Sequence, residues 1–296
     1  MDDLSDRTIE TMHRKGLKIY IESRGETEQV WFTYVLRKIY DEALCSADPG
    51  AELEKLLHDG ALKALPEVEI LVRLGEDSHG LHKDVWAHTK AVVAGVPNQL
   101  ELRWAALLHD IGKARTRRML PGGKVTFHGH DIVGARQVDD IQGRLGLFEP
   151  ALLTTVRSLV LHHLRPASYK HLWTESAVRR LITEVGDMDT FNRLMTLSRA
   201  DLTTKVPARR QRAMARAAEL EARVNEVLAV DNRPKLPKGT MGLVIERTQR
   251  VPGAWLREIQ GELEARMAAG TLASDLSAEQ YATIAIELAV EKSIDG

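Results

Sequence analysis

Apolar residues recur along most of this chain at three- and four-residue intervals, the spacing of helices that bury one face, while strand-like alternation is nearly absent. In residues 1–75 one such stretch is Val30-Trp-Phe-Thr-Tyr-Val-Leu-Arg-Lys-Ile39, with Asp48-Pro-Gly50 reading as a loop. Asp84 can cap a helix through Trp86, His88 and Val92 that stops at Gly95 and Pro97, which puts His88 on the face of Val85 and Val92. Asn98, with Glu101 three residues on, reads as the capping box of the next helix. Leu100, Trp104, Leu107, Leu108 and Ile111 form its buried stripe, and Gly112 ends it just past His109-Asp110.

One segment breaks the helical pattern. Met119-Leu-Pro-Gly-Gly-Lys-Val-Thr-Phe-His-Gly-His130 reads as two short extended pieces around a Pro-Gly-Gly turn. A helix through Ile132, Ala135 and Val138 follows, and Pro150 suits the first turn of another, in which Leu152, Val156, Leu159 and Val160 lead to His162-His163. From about Asp189, the core positions Phe191, Leu194 and Leu197 place Asp201 at a buried or nearly buried site, which is costly unless the carboxylate is paired or metal-bound. Pro207 opens a long charged helix with only a narrow stripe at Met214, Leu220, Val224, Val227 and Leu228. Asn232 to Gly239 reads as a linker, Trp255 to about Ala268 as an amphipathic helix, and Ser277-Ala-Glu-Gln280 opens a last one. The pattern predicts an all-α protein with one short β-hairpin: a helical lead-in over 1–75, a core over 76–206 and a helical C-terminal region over 207–296.

Composition narrows the function classes. A length of 296 residues allows one large core or a core with a helical appendage, and a net charge of −1 leaves any attraction to anions to local clusters. The lone Cys45 excludes a disulfide framework within the chain and fits a reducing compartment. No apolar run approaches the roughly 20 residues that span a bilayer, and the first residues are not a secretory n-region, so a cytoplasmic protein without a membrane partner is expected.

The chemistry gathers around His109-Asp110. Adjacent helical residues point about 100° apart, so this pair can hold an ion only if other helices supply further ligands. His79, His82 and His88 stand upstream; His128, His130, His162, His163, His171 and Asp201 stand downstream. Imidazole with carboxylate suits a borderline or hard divalent metal such as Mn, Fe, Co, Ni, Zn or Mg. His82 reads better as a capping or supporting residue, and His128 as a hairpin surface residue or substrate contact. His13, His58, His79 and His171 have no spacing that favours function. The arginine run 209–212 is either a solvated helix face or an RNA-binding stripe.

Taken in order, His88-Thr89, Leu107-Leu-His-Asp-Ile-Gly-Lys113, Phe127-His-Gly-His130 with Gly134-Ala135, His163-Leu-Arg-Pro166 and Arg199-Ala-Asp201 resemble the signature of the HD-domain metal-dependent phosphohydrolases. Within them the chain is most similar to the HD portion of bacterial tRNA nucleotidyltransferases (CCA-adding enzymes) and the related poly(A) polymerases, over roughly residues 60–285. Residues 1–75 show neither the Gly-Gly and Arg-Asp pattern nor the paired aspartates of the nucleotidyltransferase head, so a free-standing HD module is expected.

The resemblance implies an HD-domain helical bundle with a helical tail. It implies that His88, His109, Asp110 and Asp201 ligate one divalent ion (Ni, Co, Mn, Fe or Mg), and that His130 with His162 or His163 completes a second position bridged by Asp110. The Leu-Arg-Pro context favours His163. Lys113, Arg117 and Arg199 are the candidates for binding phosphate oxygens. The implied reaction is hydrolysis of a phosphoester in a nucleotide or at an RNA end, of the 2′,3′-cyclic phosphodiesterase, 2′-nucleotidase or phosphatase type, by metal-bound hydroxide. The alternatives are a dNTP phosphohydrolase, an HD-type di-iron oxygenase and a non-catalytic module binding tRNA or a partner protein. Possible tRNA contact and a homodimer are both left open.

Overall fold

The computed structural model describes residues 26–76, 84–170, 173–203, 206–231 and 234–294. His13, His79, His82 and His171 lie outside the described residues. Packing divides the chain into two compact units, one running to Arg223 and the other starting at Val224.

The first unit is helical. It comprises α1 (Glu26–Leu44), α2 (Pro49–His58), a short 3₁₀ turn, α3 (Pro66–Glu76), α4 (Val85–Gly95), α5 (Leu100–Leu108) and the single turn α6 (Lys113–Thr116). After the hairpin β1 (Arg118–Met119) and β2 (Val125–Thr126) come α7 (His130–Leu145), α8 (Pro150–His162), α9 (Arg165–Ser168), α10 (Glu175–Val185) and α11 (Met188–Ala200). The first part of α12 (Pro207–Asp231) belongs here too.

At the centre lies α5. Residues Leu102 to Leu108 are all buried, so this helix is enclosed on every side and not only along the stripe its spacing predicts. The Trp104 indole packs edge-on against Tyr40 at 5.7 Å and Phe148 at 5.0 Å, and its Nε1 donates to Asp41 Oδ1 at 2.7 Å. The tryptophan therefore ties α1 and the α7–α8 connection to the helix that carries the His-Asp pair. It also satisfies its polar edge, which a buried indole requires.

Local chemistry sets the ends of the elements. Asp84 Oδ1 accepts from the Ala87 amide to cap α4, as its spacing predicts. Asn98 does not cap α5: Gln99 holds that position with no side-chain bond, while Asn98 Nδ2 donates to the Cys45 carbonyl. That tertiary bond outcompetes the local one. Asp48-Pro-Gly50 is likewise not a loop but the start of α2, with Asp48 Oδ1 accepting from Ala51 N and Pro49 in the first turn. The hairpin forms where predicted, with Arg118 opposite Thr126 and Met119 opposite Val125.

The second unit contains the end of α12 with α13 (Thr240–Thr248), α14 (Ala254–Ala268) and α15 (Ala278–Ile294). Its core is Val244, Ile259, Leu263, Ala282, Ala285, Leu288 and Ala289. Ser277 and Gln280 form a reciprocal cap at the start of α15, each side chain accepting from the other's backbone amide: Gln280 N donates to Ser277 Oγ and Ser277 N donates to Gln280 Oε1. No described helix is long and apolar enough to cross a membrane.

Gly112 decides how the site closes. A Cβ built on it would stand 2.1 Å from the His130 carbonyl oxygen and 2.7 Å from the Gly134 amide nitrogen, both backbone atoms that cannot rotate away. Only glycine lets the turn after His109-Asp110 press against the first turn of α7. Gly112→Ala is expected to destabilise the protein by about 3 kcal/mol, the upper range for overpacking. Gly143→Ala, in α7 with nothing near its Cβ, should be neutral or stabilising by up to about 1 kcal/mol. Urea unfolding of the two variants checks this; equal midpoints would contradict the close-approach argument.

Candidate metal centre

Three helix C-termini deliver the site. His109 follows α5, His163 follows α8 and Asp201 follows α11, each as the residue that ends its helix. The last carbonyls of a helix lack intrahelical partners and carry its partial negative charge, so a cluster of such ends is suited to a cation. His88, in the first turn of α4, and His130, the first residue of α7, complete the group.

The imidazoles are oriented from behind. Nδ1 of His109 lies 2.8 Å from the Ala106 carbonyl, Nδ1 of His130 lies 2.8 Å from that of Phe127, and Nδ1 of His163 lies 2.7 Å from that of Val160. A carbonyl accepts only, so each Nδ1 carries the proton and donates it; the neutral ring then turns a bare Nε2 lone pair inward. His88 Nδ1 meets Thr203 Oγ1 at 2.9 Å.

Inside, the Nε2 atoms of His88 and His109 are 3.2 Å apart, as are those of His130 and His163. Asp110 joins the two pairs: Oδ2 lies 3.2 Å from His109 Nε2 and 3.5 Å from His88 Nε2, and Oδ1 lies 3.3 Å from His130 Nε2. Asp201 Oδ1 is 3.0 Å from His88 Nε2 and 3.7 Å from His109 Nε2. Two donor groups emerge, His88 with His109 and Asp110, and Asp110 with His130 and His163.

The spacing suits a metal ion. With metal–ligand bonds of about 2.0–2.1 Å, neighbouring ligand atoms stand about 3.0 Å apart in an octahedron and about 3.4 Å apart in a tetrahedron. The observed separations fall around those edges. Inward lone pairs on facing nitrogens repel unless a cation or a proton lies between them, which is the second reason the donor set fits such an ion.

Electrostatics follow from burial and company. Burial alone would raise the Asp110 pKa, but His109, His130 and Lys113 hold its carboxyl well below the usual carboxylate range. Burial likewise opposes charge on His109, yet Asp110 and Asp201 outweigh it and raise its pKa. His163, buried and facing His109, is lowered to about 4. Burial works against the Asp201 carboxylate as well, but the hydrogen bond to His88 and the charge on His109 take it to about 2.

The other predicted residues are placed as follows. Lys113 pairs with Asp110 Oδ2 and lies over the Phe127 ring at 5.7 Å. Arg199 is drawn toward α12, where it pairs with Glu221, and it lines a cleft with Gly95, Thr196 and Thr203. Arg117 ends α6, half-buried. His162 does not join the cluster: its Nε2 lies 3.2 Å from the Glu184 carbonyl, and burial, with Arg165 beside it, lowers its pKa. One residue along the helix turns it about 100° away from His163. Thr203 and the three carbonyls that orient the rings are functional neighbours that sequence reasoning missed. Backbone acceptors leave no residue-type signal, and Thr203 carries no mark beyond its place two residues after Asp201.

Comparison with known proteins agrees with this geometry. Residues 69–205 match the family model for the HD domain. The A-adding tRNA nucleotidyltransferase of Deinococcus radiodurans is 55% identical over 49 residues, 16% of this chain and 11% of that protein. The Multifunctional CCA protein of Neisseria meningitidis serogroup C, strain FAM18, is 35% identical over 153 residues, 48% of this chain and 33% of that protein. That of Janthinobacterium sp. strain Marseille is 34% identical over 107 residues, 34% of this chain and 25% of its own length. The matched stretches thus span a third or less of these relatives. The match to the HD-domain model covers the stretch that holds the His/Asp cluster centred on His109-Asp110, and the relatives that share part of this chain are named as an A-adding tRNA nucleotidyltransferase and Multifunctional CCA proteins.

Proposed function

We propose that the chain is a metal-dependent phosphohydrolase that cleaves a phosphoester in a nucleotide or at an RNA end. The observation that carries this reading is the single Asp110 carboxylate shared between two histidine pairs, with Lys113 at its edge. His88, His109, Asp110 and Asp201 would hold one divalent ion; Asp110, His130 and His163 would hold a second. When bound, such an ion acts as a Lewis acid and lowers the pKa of a coordinated water toward about 7.

The chain's own residues do the rest. Two carboxylates against one lysine leave the protein side of the cluster short of neutral, so even one divalent cation makes the site positive and attractive to a phosphate. Lys113 is near enough to Asp110 to donate to a non-bridging phosphate oxygen while staying on the site. Arg117 stands four residues further on and can serve a second oxygen. Arg199 would have to exchange Glu221 for substrate, so it contributes less than its sequence position suggests. The phosphoesters expected to turn over are 2′,3′-cyclic nucleotides and nucleoside monophosphates, and the names of the CCA-protein relatives support an RNA-linked substrate.

One observation also serves a second reading. The close pairing of His130 with His163 meets the ligand requirement of a di-iron oxygenase. Lys113 on Asp110 favours the phosphate.

Two outcomes are expected. Turnover in a panel of cyclic nucleotides, monophosphates and dNTPs should require added Mn, Co, Ni or Mg and fall by about 10³-fold or more in Asp110→Ala, as loss of ion-based stabilisation worth several kcal/mol demands. Robust turnover in excess chelator would refute the proposal; exclusive turnover of dNTPs would reassign the substrate, and a tightly held iron pair without hydrolysis would favour the oxygenase. Elemental analysis adds the second outcome. His163→Ala should lower the bound metal and the activity about 100-fold, and His162→Ala should leave both near wild type. Equal losses in the two variants would contradict the ligand assignment.

A further inference from the structure

Twenty consecutive residues, 111–130, contain no aspartate or glutamate and five cations, Lys113, Arg115, Arg117, Arg118 and Lys124, in a chain whose net charge is −1. The segment is pinned at both ends to the metal centre, by Lys113 on Asp110 and by His130 within the cluster. Between those points it forms the β1–β2 hairpin. The turn at Gly122 and Gly123 takes φ of 84° and 80°, and nothing lies within 4 Å of a Cβ built on either, so the tip stands in open space. Arg115, Arg118 and Lys124 are exposed, and so are Met119 and Leu120. Arg118 faces Thr126 across the ladder, and Leu120 N donates to the Lys124 carbonyl. Residues two apart share a face, so Arg118 and Lys124 lie on one side of the hairpin.

A mononucleotide in the cluster would leave these charges unused, because Lys113, on Asp110, already stands where its one phosphate would be met. We infer that the hairpin is an arm for a polynucleotide: the phosphates that precede the reacting end of a single-stranded RNA run along Arg115, Arg118 and Lys124. The exposed Leu120, on the face of Arg118 and Lys124, gives an adjacent base an apolar surface. This inference rests on the phosphohydrolase reading above and selects, within it, an oligonucleotide end over a free nucleotide. Single-strand binding through phosphates releases counterions, so each contact leaves its mark on the salt dependence.

The test uses the full chain loaded with Mn. Fluorescence anisotropy follows a labelled octaribonucleotide ending in a 2′,3′-cyclic phosphate, and kcat/KM is measured for that oligomer and for a 2′,3′-cyclic mononucleotide. The triple variant Arg115→Ala/Arg118→Ala/Lys124→Ala changes only exposed side chains. It should weaken oligomer binding at low salt by about tenfold or more and reduce the slope of log K against log salt by about 2, three contacts at about 0.7 each. It should lower kcat/KM for the oligomer and leave that for the mononucleotide unchanged.

Oligomer binding no tighter than mononucleotide binding in wild type, or a triple variant indistinguishable from wild type, overturns the inference. Equal displacement of the oligomer by polyglutamate of the same charge also overturns it, since the surface would then read charge alone. If wild type turns over neither substrate, the phosphohydrolase reading fails, and the binding and salt measurements still decide the role of the hairpin.

Discussion

A single buried carboxylate organises this molecule. Asp110 is 1% exposed, in surroundings where an isolated charge is too costly to persist. Its two oxygens face two separate histidine pairs, and that geometry requires the ends of α4, α5, α7 and α8 to meet within a few ångströms. The apolar enclosure of α5, the Trp104 anchor and the glycine contact between Gly112 and α7 are all means to that end. Packing positions the charge, and the cluster in turn gives otherwise costly polar groups their partners.

The histidines show how secondary structure selects a protonation state. At the ends of α5 and α8, an Nδ1–H donates to a carbonyl three residues back that the helix itself leaves unpaired. One hydrogen bond thus satisfies the backbone, locks the ring and exposes the lone pair at Nε2. His130 achieves the same from a helix N-terminus by reaching back to Phe127 in the hairpin. The hairpin is therefore part of the support of the site as well as its neighbour.

Most of this architecture was legible in the sequence because helical periodicity and chain breakers act locally. The cap at Asp84, the Pro-Gly-Gly turn and the start of α8 at Pro150 depend on residues within four positions of one another. Asn98 and Asp48 were misread for the converse reason: a tertiary acceptor at Cys45 claimed the first, and the aspartate of an apparent loop proved to be a helix cap. For the site, residue types and order pointed to His88, His109, Asp110, His130 and Asp201. The choice between His162 and His163 depended on where α8 ends relative to α10, a long-range fact that adjacent identical residues cannot encode. Arg199 read as a phosphate ligand because its partner Glu221 stands on a helix whose placement no local pattern reveals.

Burial within the cluster is graded, and the gradient gives a direction of approach. His109, Asp110 and His163 are sealed, their side chains or whole residues at 0–2% exposure, whereas Lys113 keeps 20% of its side chain accessible and Asp201 keeps 28%. The accessible edge of the cluster is therefore the one where the lysine and the second aspartate stand. Lys113, on that edge, belongs to the short segment from Asp110 that leads into the hairpin. A ligand arriving there meets Lys113 and the Asp201 carboxylate together, so an anion would be favoured only with a cation held by the donors behind them.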